Sequence, residues 1–250
     1  LDYDELTRTA SSEEVDVEVG GDDEAIIMYT SGTTGLPKGA VLTHSNVCWD
    51  AVSYLTYTPP ASGDCYLLSM PMSHVSGLHN QTTAYLVRGL PLVIMRQWEP
   101  EEACRLIERH RVTVAYILVT PLNQLLDSEA VRRYDLSSLN RVMSAAAKYT
   151  KDLPIRTMSM LGVEHVTFVY GLSEASPIVS MTELSGQMID KENTLGAPVW
   201  YNQVRIVDED GGVLSSGEVG EIVYRGPNMM IGYWQNPQGT ADAFHGGWFH

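Results

Sequence analysis

The sequence predicts an α/β fold: a mostly parallel, helix-covered sheet in residues 1–193, then a small antiparallel, barrel-like β subdomain in 194–250. Up to the segment around Val169, short apolar runs rich in β-branched residues alternate with helix-patterned segments, as in the strand–helix–strand units of parallel sheets. After about Thr194 the texture changes to short alternating runs joined by Asp/Gly turns, as in VRIVDEDGGVL and GEVGEIVYRG, which suits hairpins. A third observation bears on function. The stretch YTSGTTGLPKG (Tyr29–Gly39) follows the first apolar run and crowds hydroxyls, three glycines and one lysine into a single loop.

The first eighteen or so residues are polar and acidic, and are expected at the surface or in a linker. AIIMY (Ala25–Tyr29) is too short for a helix and reads as a buried strand. In THSNVCWDAVSYL, Thr43 or Ser45 can cap a helix with Val47, Ala51, Tyr54 and Leu55 on one face. The expected unit is therefore strand, Gly-rich loop, helix, with the loop at the carboxyl end of a sheet strand, where such folds bind ligands. YLLSM (Tyr66–Met70) predicts a strand, Gly77–Val87 a helix and PLVIM (Pro91–Met95) another strand. Pro100 in a first turn opens a helix through His110, with Glu101 and Arg105 spaced for an ion pair. VTVAYILV (Val112–Val119) predicts a strand. Arg141–Ala145 and His165–Val169 predict two more, with a helix between them.

Composition excludes several classes. With 250 residues the chain can bury a sizeable core, as one large domain or two smaller ones. Its 16 basic and 31 acidic residues give a net charge of −15, so it lacks the positive surface that a nucleic-acid binder needs to neutralise phosphates. It has no basic amphipathic stretch suited to a membrane surface and no apolar run long enough to span a bilayer. Cys48, Cys65 and Cys104 are too few and too widely spaced for a disulfide framework, which points to a reducing, cytoplasmic setting. A start without Met and an end at GGWFH predict a piece of a longer protein.

The loop has a chemical logic. Glycines let a ligand approach the backbone, and successive N–H groups then form a concave anion site. Ser31, Thr33 and Thr34 add neutral donors and Lys38 adds a point charge, a combination that suits a polyphosphate. A solvated Gly-rich turn is the plainer alternative. It is not a Walker loop, because Lys38 is followed by Gly39 and no Ser or Thr is placed to hold Mg²⁺.

YTSGTTGLPKGAVLTH closely resembles the phosphate-binding signature of the acyl-adenylating superfamily, which includes acyl- and aryl-CoA synthetases, peptide-synthetase adenylation domains and luciferases. PMSHVSGLH (Pro71–His79), MSAAAKY (Met143–Tyr149), YGLSEASP (Tyr170–Pro177) and GEIVYRGPNMMIGYW (Gly220–Trp234) resemble its further motifs, in the family's order. The resemblance runs from about Asp22 onward and implies a ligase. Such an enzyme joins a carboxylic acid to AMP from ATP with Mg²⁺, releases pyrophosphate, and passes the acyl group to CoA. It implies that Thr30, Ser31, Gly32, Thr33, Thr34, Gly35 and Lys38 hold the β- and γ-phosphates, and that Glu174 is the Mg²⁺ ligand. Ala145, Ala146, Ala147, Tyr170, Gly171 and Leu172 would line the nucleotide pocket. Ser173 would donate to the α-phosphate, and His74 would sit near the reacting carboxylate.

The match has departures. Ser173 replaces a usual Thr, Ser73 a usual aromatic, Ala145–Ala147 stand near usual glycines, and Lys148 replaces a Pro. The stretch SHVSGLHNQTT holds no acid, which disfavours a substrate bearing a charged amine and leaves a fatty or aryl acid. The family's ribose-binding Asp and lid lysine would follow His250, so this stretch alone is expected to be inactive. Two alternatives stand beside the CoA ligase: an acyl-AMP ligase that loads a carrier protein, and a non-catalytic nucleotide- or acyl-binding protein. The expected partners are a small carboxylic acid, ATP and CoA, and a homodimer is left open.

Overall fold

The computed structural model describes residues 2–30, 36–182 and 194–250. A short exposed helix, α1 (Tyr3–Thr9), comes first, with the Asp2 carboxylate accepting from the Asp4 and Glu5 N–H groups. Next, β1 (Glu24–Thr30) and β2 (Lys38–Thr43) pair antiparallel, with Thr30 opposite Lys38 and Tyr29 opposite Gly39. This corrects the expected strand, loop, helix unit: a second, antiparallel strand stands between β1 and the helix, and β1 lies outside the parallel sheet. Ala40, Val41, Leu42 and Thr43 are all buried, so β2 lacks the in–out alternation that marks a half-exposed strand. Nor is β1 a buried strand, since Met28 is its one buried residue and Ile27 is 37% exposed.

The helix α2 (His44–Tyr57) begins where the sequence places it. Thr43 Oγ1 accepts from Asn46 N at 3.2 Å and Asn46 Oδ1 accepts from Thr43 N at 2.9 Å, a reciprocal capping box.

A seven-stranded sheet forms the centre. Its strands are β3 (Tyr66–Leu68), β4 (Leu92–Ile94), β5 (Val114–Tyr116), β6 (Arg141–Ala145), β7 (His165–Gly171), β8 (Ile178–Met181) and β9 (Ala197–Pro198), in spatial order β4-β3-β5-β6-β7-β8-β9. The first five are parallel, and β8 and β9 add antiparallel at one edge. Helices make the crossovers: α3 (Ala84–Val87), α4 (Pro100–His110), α5 (Val119–Leu126), α6 (Ala130–Arg133) and α7 (Asp152–Leu161). The expected helix over 77–87 is a π-helix, Ser76–Thr83, that runs into α3; the Thr82 and Thr83 hydroxyls donate to Gly77 O and Leu78 O, five residues back.

In α4, the Glu99 carboxylate caps the amino end, Pro100 occupies the first turn, and Ala103, Cys104, Leu106 and Ile107 are buried. The predicted Glu101–Arg105 pair does not form. Arg105 bonds Glu102 at 2.6 Å, and Glu101 instead meets Arg133 of α6 at 2.9 Å. The strand expected through Val119 stops at Tyr116, because Val119–Leu126 turns into α5 and buries Leu122, Leu125 and Leu126.

Alternation along the strands separates two cores. Leu67, Ala115 and Val142 face α4, α5 and α7, whereas Tyr66, Leu68, Val114, Tyr116 and Met143 face α2. Both faces are covered, as a parallel sheet requires.

The remaining elements are β10 (Gln203–Val207), β11 (Glu221–Arg225), β12 (Gly232–Tyr233), α8 (Pro237–Ala243), β13 (Phe244–His245) and β14 (Trp248–Phe249). An antiparallel sheet of order β10-β11-β14-β13 holds Trp248 between the Arg205 and Arg225 guanidiniums, 4.3 and 4.5 Å from its ring centre. Residues 194–250 also reach out of that sheet: β9 completes the central sheet, and β12 pairs with β2. Among the described residues, no helix is long and apolar enough to cross a membrane.

Candidate active site

An open cleft of about 1190 Å³ lies between the carboxyl ends of the central strands and the β1–β2–β12 sheet. Thr30 and Lys38 come from the β1–β2 pair, His74 from the turn after β3, Ala145–Ala147 from the end of β6, and Tyr170, Gly171, Leu172, Ser173 and Glu174 from the end of β7. Every one of these was expected from the sequence, and the structure brings them together around one space. Ser31, Gly32, Thr33, Thr34 and Gly35 lie outside the described residues.

The Pro71–Gly77 turn presents His74. His74 N donates to Pro71 O at 3.1 Å, and a Cβ on Gly77 would lie 2.3 Å from Pro71 O, so only glycine lets the turn close this tightly. Ser76 N–H donates to His74 Nδ1 at 3.2 Å, which makes Nδ1 the acceptor and leaves the proton of the neutral ring on Nε2. Partial burial lowers the pKa of His74, favouring that neutral form. His79, five residues on, is buried away from the cleft, and its burial lowers its pKa to about 4.

After β6 the chain turns at Ala146 with φ 72°, the left-handed region that costs an L-residue about 1–2 kcal/mol. An alanine thus adopts the backbone that glycine usually supplies. Lys148 also lines the cleft and adds a cation near this wall.

After β7 the chain doubles back. A Cβ on Gly171 would lie 1.8 Å from Pro177 O, and Leu172 N donates to Pro177 O at 2.9 Å. This return places Glu174 in a short 3₁₀ turn, 8% exposed. Its carboxylate accepts from the Tyr233 hydroxyl at 2.7 Å, and the Lys38 ammonium lies 5.0 Å from the centre of the Tyr233 ring. Behind the loop, Asn228 Nδ2 donates to Ala175 O and Ile178 O, and Asp50 accepts from Ile178 N at 3.0 Å. Burial pushes the Asp50 pKa well above the usual carboxylate range.

Tyr233, Asn228 and Asp50 are the residues that sequence reasoning missed. Asn228 and Tyr233 both fall within the segment GEIVYRGPNMMIGYW, but Asp50 carries no motif. The donor set suits a nucleotide carrying Mg²⁺. Among the described residues no three His, Cys, Asp or Glu side chains gather as a metal cluster, and a single buried carboxylate beside hydroxyls fits an ion that keeps phosphate and water ligands.

The parallel α/β core thus opens its cleft opposite the antiparallel pair β1–β2. The chain belongs to the AMP-binding enzyme family, whose model matches residues 1–234. It is 35% identical over 243 residues to a feruloyl-CoA synthase from an Amycolatopsis species, covering 96% of this chain and 48% of that protein. The inhibitor-bound N-terminal domain of FACL13 from Mycobacterium tuberculosis superposes with a TM-score of 0.89 at 31% identity, covering 98% of this chain and 61% of that one. The O-succinylbenzoate coenzyme A synthetase MenE from Bacillus subtilis, solved with ATP and magnesium, gives 0.87 at 29% identity, with 100% of this chain and 51% of that one covered. The chain therefore spans about half the length of the curated relatives it matches.

Proposed function

We propose that the protein containing this chain is an AMP-forming acid–CoA ligase. The observation that carries this reading is the meeting of Lys38, His74 and Glu174 around one cleft from three separate parts of the chain. In the first half-reaction a carboxylate oxygen attacks the α-phosphorus of ATP, and the bond to the β-phosphate oxygen breaks to release pyrophosphate. In the second, the CoA sulfur attacks the acyl carbonyl and AMP leaves. Both reactants of the first step are anions, so the site must supply positive charge and alignment.

Lys38, Thr30 and the hydroxyls and glycines of 31–35 hold the β- and γ-phosphates. Ser173 donates to the α-phosphate. Tyr170 and the Ala145–Ala147 wall, with Gly171 and Leu172, receive adenine and the adenylate. His74 Nε2–H donates to the acid's carboxylate and aligns it for attack. Glu174 is the carboxylate that would hold Mg²⁺, whose chemistry there is to neutralise triphosphate charge. The substrate is a fatty or aryl acid, and the feruloyl-CoA synthase likeness favours aryl. Three unpaired cysteines favour the cytoplasm.

The test is pyrophosphate release by the full-length protein with Mg-ATP and short, long-chain or aromatic acids, with and without CoA. Release that follows one acid class, with thioester formed only when CoA is present, is expected. ATP binding with no release for any acid would refute the enzyme reading.

A further inference from the structure

We infer that Tyr233 is a positioning residue that sets the Glu174 carboxylate and the Lys38 ammonium at a fixed separation across the cleft. The inference rests on the nucleotide-binding part of the function proposed above and goes beyond it, since Tyr233 is none of the residues assigned a role there.

Three independent contacts converge on this side chain. Its hydroxyl donates to Glu174 Oε1 at 2.7 Å, which fixes the carboxylate in one orientation. Its ring offers a face to Lys38 Nζ at 5.0 Å, close enough for a cation–π contact. Its main chain is held in place, because Tyr233 N donates to Thr240 Oγ1 at 2.8 Å.

The segment around it is stitched to both walls. Ile231 N donates to Val41 O at 3.0 Å and Trp234 N to Gly39 O at 2.7 Å, so the segment adds a third strand beside the one that begins at Lys38. Met230 N donates to Glu174 O at 2.7 Å. The same short stretch is thus bonded to the strand of the cation and to the residue of the carboxylate.

The two roles of the side chain separate by substitution. Tyr233→Phe keeps the ring and removes the donor; Tyr233→Leu removes both. The experiment is calorimetric titration of the full-length protein with ATP alone and with ATP plus magnesium chloride, with thermal melting as a check on folding. For Tyr233→Phe, magnesium-free ATP binding should stay within about twofold of wild type while binding with magnesium weakens about tenfold, as expected for losing one hydrogen bond to a charged group. Tyr233→Leu should weaken both. On a Glu174→Gln background, Tyr233→Phe should add less than about twofold, because its effect runs through that carboxylate. Unchanged magnesium-dependent binding in Tyr233→Phe, or effects that multiply in the double variant, would overturn the inference. Normal acid-dependent pyrophosphate release with no binding difference would discard the positioning role alone. The binding differences without release from any acid would discard the enzymatic reading and keep Tyr233 in this role.

Discussion

The two walls of the cleft are held together in different ways. On one side the parallel strands β3, β5, β6 and β7 are buried on both faces and linked by helical crossovers. Their positions follow from local units of strand and helix packed on shared cores. On the other side β1, β2 and β12 form a small sheet whose third strand arrives from residues 232–233, and its link to the opposite wall runs through Glu174 and the 228–233 segment. The first wall rests on the two cores of the central sheet; the second has a smaller core of its own, including Ala40, Leu42, Ala175 and Tyr233, and adds hydrogen bonds aimed at the cleft carboxylate. Substitutions on the two sides should therefore fail differently, in stability on one and in ligand handling on the other.

The largest effect on ligand handling is expected where the walls meet. Glu174→Gln should lower acyl-AMP formation about 100-fold, or about 2.7 kcal/mol, and shift the magnesium titration to higher concentration. An unaltered magnesium titration would make Glu174 a loop residue only and break the comparison at its centre. Lys38→Ala should reduce adenylation about tenfold or more, read as a rise in KM for ATP together with a fall in kcat. The melting temperature should scarcely move, because Lys38 forms no ion pair among the described residues and lines the open cleft.

The parallel wall should respond in the opposite sense. Ile107 is fully buried on α4, and Ile107→Ala should destabilise the fold by about 2–5 kcal/mol in denaturant unfolding while KM for ATP stays unchanged in the folded fraction. A change in KM without loss of stability would show that the walls are not separable in this way.

How legible each wall was in the sequence follows the same division. Pro100 marks the first turn of α4 and the helix ends at His110 as the sequence predicts, and both edges of β6 fall where its run predicts. The cleft residues of the β6 and β7 ends were readable because they sit in contiguous motifs. Strand β2 was not, because a fully buried run looks alike in strand, loop or helix start. Strand β5 was read too long because the apolar run VTVAYILV continues past Tyr116 into a helix that buries the same kind of residue. Glu101 left its expected partner for Arg133, 32 positions away, a contact that helical spacing cannot announce. Tyr233 reaches a carboxylate 59 positions earlier, and only the folded pairing of β12 with β2 puts it there.

A smaller effect concerns His74. Its pKa lies below the ordinary histidine value, so the neutral ring with its Nε2 proton persists as the pH falls through about 6.5. Pyrophosphate release should hold level there and drop only at lower pH, as protonation of Nδ1 displaces the Ser76 N–H bond. His74→Asn should lack that acid limb in a pH–rate profile. The smallest is Ala146→Gly, which should relieve the left-handed backbone and raise stability by about 0.5–1 kcal/mol in thermal melting, because glycine adopts that conformation without the steric penalty. Ala146→Val, with a branched side chain at the same φ, should do the reverse.

The most direct measurement is the structure of the full-length protein with Mg-ATP bound. Adenine is expected against Tyr170 and the Ala145–Ala147 wall, the terminal phosphates at Thr30 and Lys38, and the metal beside Glu174 with the Tyr233 hydroxyl still on its carboxylate. A triphosphate bound away from Lys38, or a metal that leaves Glu174 untouched, would contradict it.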